Sequence, residues 1–289
     1  MCYNIFITLG GHMGGNIFKD EATRIPKDRV VPTFEAYKEL LKKTFPMKQG
    51  SFDFFETVGS AGVTDDSGDI DIAIDCSHII RHFTKGQIEK WGIDYDQWEA
   101  RYKKISKRSR TATKRMCKMR ALLEEIAEIL SGTLVKVGGQ VTAGNIFTCF
   151  PQHDEHGITN DSVQIDWMVG DIEWLRWSYY SHGEGNLKGL HRTQFLVAAF
   201  SEIGYTFNHF CGIKKKNTKE WTITDPEDAL GLLSEHYGMV RHSQTQTFAQ
   251  LHSWLLRGNS GLYFNVINRY RNILTSQKQN IPNVLQHTI

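Results

Sequence analysis

Val58-Gly59-Ser60-Ala61-Gly62, followed by Ser67-Gly68-Asp69-Ile70-Asp71-Ile72-Ala73-Ile74-Asp75, decides how the rest of the chain is read. A turn of small residues leads into a run in which carboxylates and isoleucines alternate. Side chains alternate across a strand, so this run is a strand with Asp69 and Asp71 on one face and Ile70 and Ile72 facing a core. Two carboxylates this close repel each other unless a cation lies between them. An all-oxygen ligand set asks for magnesium or manganese. Glycine and serine in the adjoining turn can offer backbone N–H groups to a phosphate.

Outward from this segment, Val163-Gln164-Ile165-Asp166-Trp167-Met168-Val169 reads as another strand, with a lone carboxylate among apolar residues. An ionised group there is costly without a partner, and a shared cation would supply one. Three carboxylates suffice for two-metal phosphoryl transfer. In that chemistry Asp69 and Asp71 hold both of two magnesium or manganese ions. Asp166 completes the site of the ion that activates an acceptor hydroxyl.

The expected fold is α+β, an α/β palm: a mixed sheet carrying the three aspartates, flanking helices, and a mainly helical C-terminal region. Residues 1–50 form an N-terminal segment with a helix capped by Thr33. Residues 51–175 form the catalytic domain, with a basic helical insertion at 79–131. Residues 176–289 form a thumb-like helical region. Strands are expected at 133–137, 145–150 and 163–169, with a polar loop at 152–157. Hairpin strands at 205–207 and 221–223 are joined by a lysine-rich loop at 214–219. Trp174, Trp177, Tyr179 and Tyr180 read as core, with one of these rings able to stack on a base.

With 289 residues and a formal net charge of +2, the chain has an ordinary globular composition, and its charge is strongly clustered. Lys107, Arg108, Arg110, Lys114 and Arg115 form a basic run suited to a nucleic-acid backbone, RNA or DNA. Neighbouring acids predict partial internal pairing. Cys2, Cys76, Cys117, Cys149 and Cys211 show no C-x-x-C spacing and read as reduced thiols of a cytoplasmic protein. No apolar run is long enough to span a bilayer, so no membrane partner is expected.

Gly59-Ser60, Ser67-Gly68-Asp69-Ile70-Asp71 and Ile165-Asp166-Trp167 together resemble the active-site signature of the DNA polymerase beta-type nucleotidyltransferase superfamily. The Ser-Gly-Asp-x-Asp form is similar to that of family X DNA polymerases. The likeness covers residues 55–235, being specific in the palm and looser in the thumb segments around Tyr179–Gly183, Glu202–Asn208 and Asp225–Leu232. Met13–Lys19, Gly59–Asp75 and Leu187–Arg192 are also similar to nucleotidyltransferases encoded by tailed bacteriophages. That resemblance implies a phage or prophage origin and the host cytoplasm.

The superfamily resemblance implies transfer of a nucleoside monophosphate from an NTP or dNTP to an acceptor hydroxyl, with pyrophosphate released. Gly59, Ser60, Ser67 and Gly68 would cradle the β and γ phosphates. Family X polymerases carry arginines after the Gly-Ser, where this chain has Ala61-Gly62-Val63-Thr64-Asp65-Asp66; Lys188 and Arg192 are the cations expected in their place. The acceptor expected first is a nucleic-acid 3′ end. A small molecule or a protein is the alternative, and a non-catalytic nucleic-acid-binding protein is the reading from another class.

Overall fold

A computed structural model describes residues 17–48, 50–109, 112–181, 189–218, 220–258, 260–282 and 285. The chain forms two compact units, Met1–Ile172 and Glu173–Ile289. In the first unit the elements are β1 (Ile25–Pro26), α1 (Lys27–Thr44), β2 (Glu56–Val58), β3 (Asp66–Ser67), β4 (Asp69–Asp75), α2 (Cys76–Ile79), α3 (Lys85–Glu89), α4 (Tyr95–Arg108), α5 (Lys114–Ser131), β5 (Lys136–Gly138), β6 (Asn145–Asp154) and β7 (Gly157–Gly170). The fold is α+β. A five-stranded mixed sheet has the order β2-β4-β7-β6-β5, in which β4 and β7 run parallel and the other neighbours antiparallel.

The sheet has a helix-covered face because its sequence alternates. Ile70, Ile72 and Ile74 of β4, and Val163, Ile165 and Trp167 of β7, are all fully buried on that face. They share one core with Val30, Phe34, Tyr37 and Leu41 of α1 and Leu122, Leu123, Ile126 and Leu130 of α5. Burying each such side chain stabilises the fold by about 1.5–3 kcal/mol. A hydrogen-bonded chain crosses this layer. Trp167 Nε1 donates to Tyr37 Oη at 2.9 Å, Tyr37 Oη and Thr148 Oγ1 lie 3.2 Å apart, and Thr148 Oγ1 donates to the Ile165 carbonyl at 2.7 Å. Burial pushes the Tyr37 phenol up to about 12, so it remains a neutral donor. This network fixes β7 on both sides of Asp166.

Three expectations about local structure are corrected. Helix α1 begins at Lys27 and runs through Pro32, so Thr33 is inside the helix. Thr33 is fully buried, and its hydroxyl accepts from His153 N at 2.8 Å and donates to His153 O at 3.3 Å, fastening α1 to β6. The polar stretch 152–157 is a tight turn between long paired strands, since β6 extends to Asp154 and β7 starts at Gly157. In the second unit the hairpin pairs β8 (Tyr205–Asn208) with β9 (Gly212–Lys215), which places Lys214 and Lys215 in a strand. Ile223 makes only an isolated bridge to Ile213.

The second unit is otherwise helical: α6 (Ile172–Ser178), α7 (Gly189–Glu202), α8 (Pro226–Tyr237), a 3-10 turn (His242–Thr245), α9 (Phe248–Arg257) and α10 (Ser260–Ser276). Its core includes Trp174, Trp177, Phe195, Phe200, Leu233, Leu251, Tyr263 and Tyr270. Cys76, Cys117, Cys149 and Cys211 are free thiols, and Cys2 lies outside the described residues. Among the described residues no helix is long and apolar enough to cross a membrane.

Candidate metal centre

Strand pairing brings the three aspartates together. In the parallel ladder Asp71 is directly opposite Asp166, and Asp69 is opposite Gln164. Paired residues share a face, so one row across the sheet reads Val58, Asp71, Asp166, Phe147, Gly138. This is the face opposite the isoleucines. One carboxylate oxygen from each of Asp69, Asp71 and Asp166 lies within 4.8 Å of the others. Oxygens on opposite sides of one magnesium ion are about 4.2 Å apart, given bonds of about 2.1 Å. The donor set is all-oxygen and nearly at coordinating separation, so it fits a hard divalent cation.

Electrostatics supports the same conclusion. Burial, followed by the charges of Asp69 and Asp166, holds the Asp71 carboxyl well above the ordinary carboxylate range. Burial and Asp69 do the same to Asp166, which is 4% exposed. A shared cation would relieve both effects.

Two neighbours shape the cluster. Gly59 has φ of +75°, and a Cβ there would lie 2.8 Å from Asp71 Oδ2. Only glycine leaves room for that carboxylate while adopting the turn. Gln164, 2% exposed, donates Nε2 to both Asp166 oxygens at 2.9 Å and accepts from Ile17 N at 3.2 Å. The amide fixes the carboxylate's orientation and favours its charged form. Gln164→Ala is expected to weaken manganese binding about 10–100-fold while the fold persists. Isothermal titration with manganese checks this, and unchanged affinity would remove Gln164 from the centre.

The Gly-Ser turn is built as a closed loop. Ser60 O accepts from Val63 N at 3.1 Å, Thr64 N at 3.2 Å and Ser67 Oγ at 3.1 Å. Ser67 is 2% exposed, so its hydroxyl shapes the turn and does not face solvent. Of the turn glycines, Gly59 packs against Asp71, and Gly68 directly precedes Asp69 in the chain.

The cations sort differently. Lys188 and Arg110 lie outside the described residues. Arg192 is in the interior of the second unit: its Nη1 donates to the Ser178 carbonyl at 3.3 Å and its Nε to the Thr245 carbonyl, while its guanidinium stacks 5.5 Å from the Trp177 ring centre. That is a role inside the helical core. A cation the sequence reading missed is Arg24. Pairing of β1 with β3 brings it to Asp66, where Nη2 meets Oδ1 at 2.6 Å, and the Asp69 charge also acts on it. Nothing local marks Arg24, because its partner is 42 residues away. Gln164 was legible, being two residues before Asp166 on a strand and so on the same face.

Lys107, Arg108, Lys114 and Arg115 are exposed at the α4–α5 connection. A scan against protein-family models and a search of curated proteins find no match for this chain.

Proposed function

We propose that this protein is a metal-dependent nucleotidyltransferase. The observation that carries the reading is the convergence of Asp69, Asp71 and Asp166 on one sheet face beside a glycine turn that a side chain would block. The reaction forms a bond from an acceptor oxygen to the α-phosphorus of an NTP or dNTP and breaks the bond from that phosphorus to pyrophosphate. The acceptor proton passes to solvent or a nearby base. Divalent cations held by the three carboxylates would supply charge neutralisation at the phosphoryl oxygens and acidify the acceptor hydroxyl.

The chain's own residues do the rest. Asp69 and Asp71 present oxygens from one strand, and Gln164 holds Asp166 at a fixed angle beside them. The small-residue turn admits the triphosphate close to the backbone. Arg24 supplies positive charge where this sequence lacks arginines after Gly59-Ser60, being anchored by Asp66 and still 56% exposed. Arg24→Ala should therefore raise the KM for nucleotide about tenfold or more with a smaller change in kcat. An unchanged KM would assign Arg24 to the surface pair with Asp66 alone.

The deciding experiment measures pyrophosphate release with each NTP and dNTP plus magnesium or manganese. RNA and DNA oligonucleotides are present or absent, and wild type is compared with Asp69→Asn/Asp71→Asn. Release that requires both aspartates supports the transferase. Absence of both release and nucleotide binding in the wild type would leave a binding protein on a nucleotidyltransferase-like sheet.

A further inference from the structure

We infer that the α4–α5 connection is a docking surface for a nucleic-acid strand, and that this strand is the acceptor. The inference deepens the transferase reading by naming the acceptor class. It rests on that reading only for the use made of the bound strand.

The structure divides the cations of residues 79–131 into two sets. One set is neutralised within the fold. Arg101 pairs with Glu124, Glu125 and Glu128, Arg120 with Glu124, Lys103 with Glu99, and Lys85 with Glu89. Arg81, Lys90 and Lys104 also lack an acidic partner among the described residues, but the densest group, five cations, lies where α4 ends and α5 begins. Lys107, Arg108 and Lys114 have no acidic partner within 4.0 Å among the described residues, and all three are exposed. Arg115 and Lys118 join them, their cationic ends 5.8 and 5.7 Å from the Phe83 ring centre.

Part of this second set is badly placed for stability. Lys107 and Arg108 suit the C-terminal turn of α4. Lys114 and Arg115 occupy the first turn of α5, which contains no acid, so they oppose the helix dipole as well as repelling their neighbours. A surface that accumulates unpaired cations against the local field is complementary to a polyanion.

Its position suits an acceptor. Arg115 Nη1 donates to the Arg81 carbonyl at 3.4 Å, and Nη2 lies 3.9 Å from Cys76 Sγ. Cys76 directly follows β4. The Asp71 end of that strand is therefore about 16 Å from Cys76, at about 3.3 Å per residue. Roughly five stacked nucleotides, at about 3.4 Å each, span this distance. A strand held at the connection and passing the Cys76 end of β4 is thus within a few nucleotides of the aspartate-bearing end.

The test uses the full chain and fluorescein-labelled single-stranded RNA and DNA of about 20 nucleotides, followed by anisotropy from about 50 to 200 mM salt. The tip variant is Lys107→Gln/Arg108→Gln/Lys114→Gln. A charge-matched control, Lys42→Gln/Lys85→Gln/Lys103→Gln, removes cations that already have acidic partners. Expected is binding by wild type and by Asp69→Asn. The tip variant should lose about tenfold or more in affinity, and its slope of log K against log salt should flatten by about 2, at about 0.7 per phosphate. The control should stay within about threefold of wild type, and the tip variant should keep the wild-type far-UV spectrum and cooperative melting, so that lost affinity is not lost folding.

Equal losses in the two variants would overturn the inference, as would no strand binding by wild type. Binding to phosphatidylserine vesicles without strand binding would overturn it in favour of a membrane surface. Strand binding is read without turnover, so its failure is distinct from failure of pyrophosphate release.

Discussion

Asp71→Asn is expected to lower metal-dependent pyrophosphate release by about 10³-fold or more, and also to make the metal-free protein more stable. The two effects have one origin. Asp71 stands opposite Asp166 in the β4–β7 ladder with Asp69 beside it, and its half-buried carboxyl meets reduced solvation, two like charges and a turn packed against its oxygen. Removing the charge relieves repulsion by about 1 kcal/mol or more, roughly 2–4 °C in the melting midpoint of a unit this size. The same change replaces one anionic oxygen of the ligand set with an amide nitrogen that does not bind a hard divalent cation. Saturating manganese should therefore raise the midpoint of the wild type, by about 2.7 kcal/mol of stability at a hundred times Kd, and leave Asp71→Asn nearly unmoved. Differential scanning fluorimetry with and without manganese measures both. A metal-free variant less stable than wild type would contradict the repulsion argument. A full manganese shift in the variant would contradict the metal centre.

Acid should unfold the second unit through His209. Burial and the nearby Arg192 cation lower this imidazole to about 4, and its Nδ1 is enclosed without a hydrogen-bond partner. Burial also lowers His191 and His252, whose rings sit 2.7 and 2.9 Å from the hydroxyls of Tyr270 and Tyr263. The sign follows from proton binding. The unfolded chain takes up a proton at His209 as pH falls below about 6.5, whereas the folded unit refuses it until about 4. Stability present above pH 6.5 is therefore lost progressively between there and pH 4, by about 3 kcal/mol from His209 alone. Urea unfolding followed by tryptophan fluorescence at pH 7.5, 5.5 and about 4.5 gives the slope, and His209→Phe should flatten it. Coincident pH profiles for the variant and wild type would remove His209 as the source.

The sequence was most legible where physics is local. Period-two alternation at Asp69–Asp75 depends only on strand geometry, and it correctly separated the carboxylate face from the isoleucine face. The apolar neighbours of Asp166 marked its strand for the same reason. Trp174 and Trp177 were readable as core because indoles are costly to leave in water, whereas Tyr179 and Tyr180, expected with them, are only half-buried. Thr33 was misread as a cap because its partner is His153, on a strand far along the chain. The hairpin was misread because Gly212 and its neighbours pair with β8 before the tryptophan-bearing segment is reached.

By itself the sequence determined that a carboxylate-bearing strand exists, that a small-residue turn adjoins it, and that a second apolar strand carries a third aspartate. Each is a matter of residues within a few positions of one another. Only the tertiary structure decided that Asp166 aligns with Asp71, that Gln164 holds it, that Arg24 arrives through the β1–β3 pair, and which cations of the helical insertion are left without acids. Those outcomes depend on strand register and on helix packing between segments far apart in the chain. Neither is encoded in the spacing of any one segment.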